Sequence, residues 1–502
     1  MTAWNDLPGK PRDLAGPGWG RRLATVTAAV VGIGVVGVGG GQLPVEKPAY
    51  DPGAVTSVGR TTTVCTVAQQ PSGPQPTSST TLSAVATRQA PGRTGLLTGA
   101  PLAGGSAELT VKSQGFGAQV SQPQTSVVLA GEGVMATAST GTIFSFTEQG
   151  EQSGLMAAPC TAPVTSQWFV GVGADDQHRS ELVLSNPDDA LAEVDLRFYG
   201  EAGLVVVPGS PGLIVPAHSS RTVALAPLVN RPGPLSVLVR ATQGRVSAMS
   251  RDLYSQQLKP AGADWHAASA SPNTNLVIPG MPEGEGARDL VVTNPGTQRA
   301  QVTVSVLGVQ GAFSPAGAET LEVGGESTAT ISLGAGLAGQ PAGIQLASDH
   351  PVTAAVISTA TRLDPNGGIA AQPDIAIQPA AQALGRTGVA AMATTDSGDS
   401  ELMLSNGSDT DAQLSFDVLS LDGVVLRTDD VFVAAHSTST RRLNSPAPSY
   451  LLVRVPAGPA IYGAIVLTRP DGPVAGLATV PILSPDVASR APQVFPDAAV
   501  AR

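Results

Sequence analysis

The stretch Leu182-Val183-Leu184-Ser185-Asn186-Pro187 decides the fold, because related stretches occur twice more in the chain. The other copies are Leu290-Val291-Val292-Thr293-Asn294-Pro295 and Leu402-Met403-Leu404-Ser405-Asn406-Gly407. The asparagines lie 108 and 112 residues apart, which is the length of a β-sandwich domain and much longer than a propeller blade or a solenoid turn. An Asx-type turn that ends a strand explains why asparagine recurs there. We therefore predict tandem sandwich domains, with Asn186, Asn294 and Asn406 as structural turn residues.

The repeat continues beyond the asparagine as a series of short β-rich segments. Eight residues later, segments 194–198, 302–306 and 414–418 alternate apolar and polar residues, as a strand with one buried face does. A glycine then follows in each copy, where a hairpin turn needs positive φ: Gly203, Gly311 and Gly423. With the strands that open and close each copy, we count about seven strands per repeat. This count predicts an all-β fold with three immunoglobulin-like sandwiches.

The two cysteines of the chain, Cys65 and Cys160, both precede the first repeat. An oxidising compartment would favour their pairing, and the closed loop would add roughly 4–5 kcal/mol of stability in the chain-entropy model. We therefore predict a disulfide that closes a fourth, less regular β region. Two unrelated buried thiols are the alternative.

An apolar segment near the amino terminus predicts a membrane anchor. No charged residue lies between Arg22 and Glu46, and residues 23–41 are nearly all Val, Ala, Gly, Leu and Ile. Such a segment is just long enough to cross the hydrocarbon core as a helix. Basic residues precede it, so the positive-inside rule places the first 22 residues in the cytoplasm and the bulk of the chain outside. The alternative is a signal peptide that is cleaved, which would make the protein secreted.

These observations predict a single-pass membrane protein with seven segments. Its predicted segments are a cytoplasmic tail (1–22), a transmembrane anchor (23–42), a linker (43–61), the disulfide-closed β region (62–163) and three sandwiches (164–270, 271–384 and 385–502). The sequence leaves open whether the sandwiches form a rod or fold back on each other.

No motif in the predicted exported region indicates a catalytic residue, a cofactor or a metal. The patterns GxSxG, SxxK, HExxH and Walker A are absent from it. His218 and His436 occupy matching repeat positions, but Glu326 stands at the third, which indicates an exposed turn rather than a ligand or a base. A net charge of −11 disfavours nucleic acid as a partner. We predict that the protein is not an enzyme, although a triad assembled from distant loops stays open.

Several of these features together resemble a known family. They are the amino-terminal membrane segment, Cys65, the run from Cys160 to Pro163 that leads into Gln167-Trp168-Phe169-Val170-Gly171, and the recurring LxLSNP. In this combination the chain resembles an actinobacterial family of membrane-anchored envelope proteins whose domain has no known function. The resemblance implies a cell-envelope protein and supplies no catalytic residues.

We therefore predict a non-enzymatic extracytoplasmic scaffold or adhesion-type protein that binds an envelope protein. A glycan-binding accessory to cell-wall polymer synthesis is one alternative, for which Trp265-His266 is the aromatic pair that the sequence leaves available. An enzyme with a split site is the other, and it would need a buried Asp, Glu or His with a strongly shifted pKa between sandwiches. The identity of the partner and the oligomeric state cannot be read from the sequence.

Overall fold

Strands make up nearly all of the regular structure in a computed structural model of the chain. It describes residues 55–67, 78–88, 94–137, 139–229, 231–364, 366, 368–392, 398–469, 471–485 and 488–490. Within them, no helix has both the length and the apolar character needed to cross a membrane. The predicted anchor at 23–42, with the tail and most of the linker around it, lies outside the described residues.

After a short strand β1 (Val55–Ser57), the first unit contains eight strands in two sheets. We call the sheet of order β2-β7-β4-β5 the spacer sheet and the sheet of order β6-β3-β8-β9 the blade sheet. The strands are β2 (Arg60–Cys65), β3 (Ser78–Ala86), β4 (Gly95–Pro101), β5 (Leu109–Val111), β6 (Phe116–Ser121), β7 (Val127–Gly133), β8 (Ser139–Thr147) and β9 (Gly154–Pro159).

The second unit repeats this pairing with its fourth strand in two pieces, and its two sheets are joined because β10 also pairs with β11. Its strands are β10 (Ser166–Ala174), β11 (His178–Asn186), β12 (Ala192–Gly200), β13 (Gly203–Val205), β14 (Leu213–Val215), β15 (Ser219–Ala224), β16 (Arg231–Gln243), β17 (Ser247–Gln256) and β18 (Lys259–His266), with a short helix α1 (Ala226–Val229). The spacer sheet pairs β10 with β16, β16 with β12, and β12 with β13 and β14. The blade sheet has the order β15-β11-β17-β18.

The third unit differs in one respect, because a single strand serves both of its sheets. Its elements are β19 (Asn273–Met281), β20 (Arg288–Asn294), β21 (Ala300–Gly308), β22 (Gly311–Phe313), β23 (Thr320–Val323), β24 (Ser327–Ser332), α2 (Gly334–Leu337), β25 (Ala342–Ala360) and β26 (Asp374–Pro379). The first part of β25 pairs with β19 and β21 in the spacer sheet, and its second part pairs with β20 and β26 in the blade sheet.

The fourth unit again has two separate four-stranded sheets. Its strands are β27 (Thr387–Met392), β28 (Asp399–Asn406), β29 (Ala412–Ser420), β30 (Val425–Val433), β31 (Ser437–Arg442), β32 (Ser449–Arg454), β33 (Ile461–Thr468) and β34 (Leu477–Pro481). The spacer sheet has the order β27-β32-β29-β30 and the blade sheet the order β31-β28-β33-β34. A short strand β35 (Ala488–Arg490) ends the described chain.

The amino-terminal β region is therefore a complete fourth copy rather than a less regular one. Strand β3 occupies the place of β11, and its last residue, Ala86, stands where β11 has Asn186, because Leu82 and Leu182 hold matching places in their blades. The first unit thus lacks the asparagine by which the other three are recognised. It has the same topology as the other units although its sequence lacks their repeated motif.

The last strand of every unit lies at the centre of the molecule. We call β9, β18, β26 and β34 the inner strands. Each contacts the next one along the chain, and β34 contacts β9 again. This closes the four blade sheets into a four-bladed, propeller-like ring, and the described residues from Thr56 to Ser489 form one compact body. The repeat length exceeds that of a propeller blade because each unit adds a spacer sheet to its blade.

Spacer sheets fill the space between neighbouring blades. Val170 of the second unit's spacer packs with Val291 and Ala355 of the third unit's blade. Tyr450 of the fourth unit's spacer packs with Val85 of the first unit's blade, which closes the ring. Each unit also has its own core between its two sheets, built from the apolar side chains that alternate along strands such as β12 and β21. Spacer sheets and blade sheets therefore alternate around the ring. Many strands are covered on both faces, which explains the long apolar runs in the sequence.

Candidate functional site

The carboxylate of Asp374 lies on the axis of the ring and joins all four inner strands. Its Oδ2 accepts hydrogen bonds from the backbone N–H groups of Leu155 at 2.8 Å and Leu477 at 2.9 Å. Its Oδ1 accepts from Ala263 at 3.2 Å and from Ile375 at 3.0 Å. One N–H from each inner strand therefore points at the same side chain.

Glycine stands at the position of Asp374 in the other three units. Gly154, Gly262 and Gly476 directly precede the three other residues whose N–H groups bind the carboxylate. A Cβ atom would lie 2.7 Å from Asp374 Oδ1 at Gly154 and 2.8 Å from the same oxygen at Gly262. Gly154 and Gly262 therefore leave the space that the Asp374 side chain fills, whereas a Cβ atom at Gly476 would meet Arg469 instead.

A second buried carboxylate, that of Asp264, lies two residues further along the inner strands. It accepts the backbone N–H of Trp265 at 2.8 Å and that of Ile377 at 2.9 Å, and the N–H of Ala157 also hydrogen-bonds to it. Three of the four inner strands are thus joined at this level as well. The axis is a column of two carboxylates, each held by backbone donors from different units.

Burial governs the protonation of this column. It raises the pKa of Asp374 to about 7, although the four N–H donors act in the opposite direction. Burial also raises the pKa of Asp264 well above its usual range, and the neighbouring Asp374 carboxylate adds to that rise. Both side chains are fully buried, and backbone N–H groups contact all four of their oxygens.

The column ends where the axis opens into a cleft. Its lining contains the residue that comes next in the same phase at the end of each inner strand: Pro159, Ala267, Pro379 and Pro481. Proline has no backbone N–H, so at three of these four places no donor points at the axis and no acceptor is needed there. The chain segments that follow the inner strands in all four units line the walls, and the cleft has a volume of ≈ 1020 Å³.

The cleft is lined mainly by small and hydroxyl-bearing residues, with charges at one side. Arg245 donates to both carboxylate oxygens of Asp188, at 2.8 and 3.0 Å, and this contact lowers the pKa of Asp188. His218 Nε2 lies 2.8 Å from Asp189 Oδ1. The acidic groups at this side are therefore already paired, and the lining carries little free charge.

The comparison with known proteins gives a family without a known activity. The sequence matches a family of unknown function, DUF5719, over residues 116–440, which is more than half of the chain. The chain belongs to this family. No curated protein matches the sequence. The DUF5719 match begins in the first unit and ends in the fourth, so it covers the second and third units completely.

The three repeated asparagines of this DUF5719 chain are buried where the second strand of each blade ends. In each, Oδ1 accepts the N–H of the residue two positions later at 2.9–3.0 Å, and Nδ2 donates to the carbonyl four positions later at 2.6–2.8 Å. Nδ2 also donates to the last carbonyl of the fourth strand, on Val215, Val323 or Val433. The asparagines Asn186, Asn294 and Asn406 therefore join two connections within one unit and lie apart from the axial column.

The predicted disulfide between Cys65 and Cys160 is confirmed. It joins the opening strand of the first unit to the segment that follows its inner strand, and Cys160 lines the cleft. The backbone of the next residue pair, Val64 and Thr161, is hydrogen-bonded in both directions. The bond thus holds one wall of the cleft against the first spacer sheet.

His178, Asp252 and Ser180 form a cluster whose geometry differs from that of a catalytic triad. His178 Nδ1 lies 2.6 Å from one Asp252 oxygen, and the Ser180 hydroxyl donates to the other at 2.7 Å. The hydroxyl is thus bound by the carboxylate and not by the imidazole that would activate it. Burial disfavours charge on both groups, but Asp252 raises the pKa of His178 and His178 lowers that of Asp252. The contact thus joins a buried carboxylate to a partly exposed imidazole within the second blade.

The remaining histidines and aromatic residues correct one expectation. Trp265 and His266, the pair left available for sugar by the sequence, are 2 % and 0 % exposed. Burial lowers the pKa of His266 to about 4, so its ring is neutral. His218 and His436 adopt φ of 50° in exposed turns and each pairs with an aspartate. In the described ranges, no group of three or more His, Cys, Asp or Glu is placed to hold a metal ion.

Neither the repeat pattern nor any motif of the sequence pointed to Asp264 or Asp374. The signal that would have found them is an acidic residue within a short apolar run just before a repeat begins, as in Asp374-Ile375-Ala376-Ile377. A carboxylate there needs a buried partner. The inner strands lie inside the predicted units, where the sequence pattern did not mark them as strands.

Proposed function

We propose that this protein is a non-catalytic scaffold or adhesion-type protein of the cell envelope, which binds another envelope protein in the axial cleft. The proposal is supported by the hydrogen bonds of the two buried carboxylates on the axis. Asp374 and Asp264 are bound by backbone N–H groups from several units, so they hold the ring together instead of facing a substrate. The ring is then a rigid frame for a surface.

The cleft is the surface best suited to that role. All four units contribute to it, so its shape depends on the closed ring, and its volume lies at the upper end of the range typical of ligand sites. Its walls come from connections between strands, which are the segments that carry function on a rigid scaffold. The DUF5719 family assignment supplies no activity that competes with this proposal.

The proposed location rests on the amino-terminal sequence and on the cysteines. The apolar segment at 23–42 with basic residues before it favours a membrane anchor with the ring outside the cytoplasm. The disulfide fits an oxidising compartment. The envelope of an actinobacterium is the setting that the sequence resemblance favours.

We also infer that each unit is related to the immunoglobulin-like sandwich. Its second strand pairs with its fifth, and its third with its sixth, as B pairs with E and C with F in an immunoglobulin domain. The first and seventh strands have exchanged sheets: the first pairs with the sixth, and the seventh with the second. This exchange leaves the eighth strand on the axis.

A crosslinking experiment tests the function. A photo-crosslinking amino acid at Gln382, which is exposed in the cleft, is expected to trap an envelope protein in living cells. The same amino acid at Val206, which is 86 % exposed and outside the cleft, is the matched control. An adduct with the same molecule at both positions would contradict the proposal, as would an adduct with wall glycan at Gln382. A reporter at the carboxyl terminus that is active in the cytoplasm would contradict the proposed location.

A further inference from the structure

One edge of the first spacer sheet is only partly paired where it meets the cleft. Strand β2 pairs with β7 along one side. On its other side, the Val64 N–H donates to the Thr161 carbonyl at 2.8 Å, and the Thr161 N–H donates back at 3.0 Å. The backbone groups of Val64 therefore point away from β7.

The phase of the strand fixes where the backbone groups before Val64 point. In an antiparallel ladder the N–H and C=O groups of alternate residues point to the same side, so those of Thr62 and Arg60 also point away from β7. Continuing the Val64–Thr161 pairing would place Pro163 opposite Thr62. Proline has no N–H to donate, and the chain leaves the edge there. Within the described ranges, the backbone N–H and C=O of Thr62 have no hydrogen-bond partner.

The matching strand of the fourth unit is closed at this point. Val389 pairs with Leu483 as Val64 pairs with Thr161. Two residues earlier, the carbonyl of Thr387 accepts a hydrogen bond from the Ser484 hydroxyl at 2.8 Å. The first unit has no such cap at Thr62, and residues 60–63 line the cleft.

We propose that the free edge of β2 is a site for β-strand addition, which takes an extended peptide segment of the protein partner. The peptide would run antiparallel to β2 and would pair with Thr62 and Arg60 where Pro163 ends the internal pairing. This inference rests on the proposed function, because it names the partner class for the same cleft. Donors and acceptors that alternate every second residue match an extended backbone, and a sugar ring offers no such period.

Substitutions at Thr62 test the backbone contact separately from the side chain. Thr62→Pro removes the outward N–H and leaves the β7 ladder intact, since proline is tolerated at a strand edge whose N–H faces outward. Thr62→Ala keeps the N–H and is the matched control. The probe is a linear dodecapeptide selected from a phage-displayed library on the full-length protein. We expect Thr62→Pro to weaken its binding at least tenfold and Thr62→Ala to change it less than twofold, with unchanged thermal midpoints.

N-methylation of the peptide gives an independent readout of strand addition. Methyl groups on alternate peptide nitrogens are expected to abolish binding, and methyl groups on the nitrogens between them to have little effect. Equal binding to Thr62→Pro, an N-methyl scan without alternation, or a library that yields no peptide sensitive to Thr62→Pro would overturn the proposal. If Gln382 still captures an envelope protein in a Thr62→Pro background, the proposed function stands and strand addition alone is wrong.

Discussion

The first and the third unit share one strand pairing, yet they differ at three matched positions. Where the opening strand meets the segment after the inner strand, the first unit has the disulfide of Cys65 and Cys160, and the third has Ile278 and Ala380 within its core. At the end of the second strand, the first unit has alanine and the third has Asn294. At the start of the inner strand, the first has glycine and the third has Asp374.

The comparison shows that none of these three features alone is required for the topology of a unit. A covalent bond and an apolar contact fill the same place, and a buried asparagine is present in one unit and replaced in another. What the two units share is the alternation of apolar residues and the register of their sheets. The third unit also supplies the aspartate that binds inner strands of the other three units. Exchanging the matched residues should therefore have effects of different size.

The largest effect is expected when the third unit receives the first unit's residue at the axis. Asp374→Gly leaves four buried N–H groups without an acceptor, and each unsatisfied group costs about 1–3 kcal/mol. We expect a loss of at least about 4 kcal/mol of unfolding free energy. Chemical denaturation followed by far-UV circular dichroism measures it.

Two comparisons make that result specific. Asp471→Gly, in an exposed turn, should change the denaturation midpoint very little. Formate carries the missing carboxylate, so a high formate concentration should raise the midpoint of Asp374→Gly more than that of the wild type. A variant as stable as the wild type, with no response to formate, would show that the axial hydrogen bonds contribute nothing.

The next effect is expected when the first unit receives the third unit's apolar pair. Cys65→Ile with Cys160→Ala removes a crosslink whose cysteines are 95 residues apart, and the chain-entropy model assigns such a loop about 4–5 kcal/mol. The new apolar contact should offset part of the lost stabilisation, so we expect the unfolding free energy to fall by about 3 kcal/mol. Differential scanning calorimetry measures it, with the wild type in reducing agent as control. A double variant that melts with the oxidised wild type would contradict the expectation.

A smaller effect is expected when the third unit receives the first unit's alanine. Asn294→Ala removes the acceptor of the Gly296 N–H and donors to buried carbonyls, which should cost about 2–3 kcal/mol. Asn273→Ala, at an exposed strand end, is the control and should cost less than about 0.5 kcal/mol. Urea denaturation separates the two variants. Equal midpoints would mean that the buried asparagine is dispensable in the third unit as it is in the first.

The same comparison shows why part of the fold could be predicted from the sequence and part could not. Asn186 and its copies recur at the end of the same strand, so three units with two sheets each could be predicted from the sequence. Ala86 breaks that pattern, and the first unit was predicted only as an irregular region. The inner strands are short, dissimilar and buried on all sides, so they show no alternation that would mark them. Ring closure depends on contacts between units far apart in sequence.

The candidate site was harder to predict than the fold for the same reason. Asp374 binds residues more than 100 positions away in three other units. A single sequence does not show which distant residues come into contact. The cleft likewise exists only when four connections meet. In contrast, the disulfide was predictable because the chain has two cysteines and a predicted extracytoplasmic location.

The smallest effect concerns the protonation of the residue that distinguishes the third unit. Burial raises the pKa of Asp374 to about 7 in the folded protein, whereas an aspartate in the unfolded chain titrates near its usual value of 3.8. Between these two pH values the folded state binds the proton more tightly. Its contribution to stability is therefore greatest at the acidic end of this window and is lost as the pH rises through 7.

Between pH 5 and pH 7 we expect the wild type to lose about 2 kcal/mol more unfolding free energy than Asp374→Asn, because asparagine does not titrate. Urea denaturation of both proteins across this range measures the difference. Groups away from the axis titrate in both proteins, so the difference reports on the axial column, in which Asp374 also raises the pKa of Asp264. Parallel pH profiles would mean that the four N–H donors keep Asp374 ionised in the fold, and that the axis holds a carboxylate at every pH in the window.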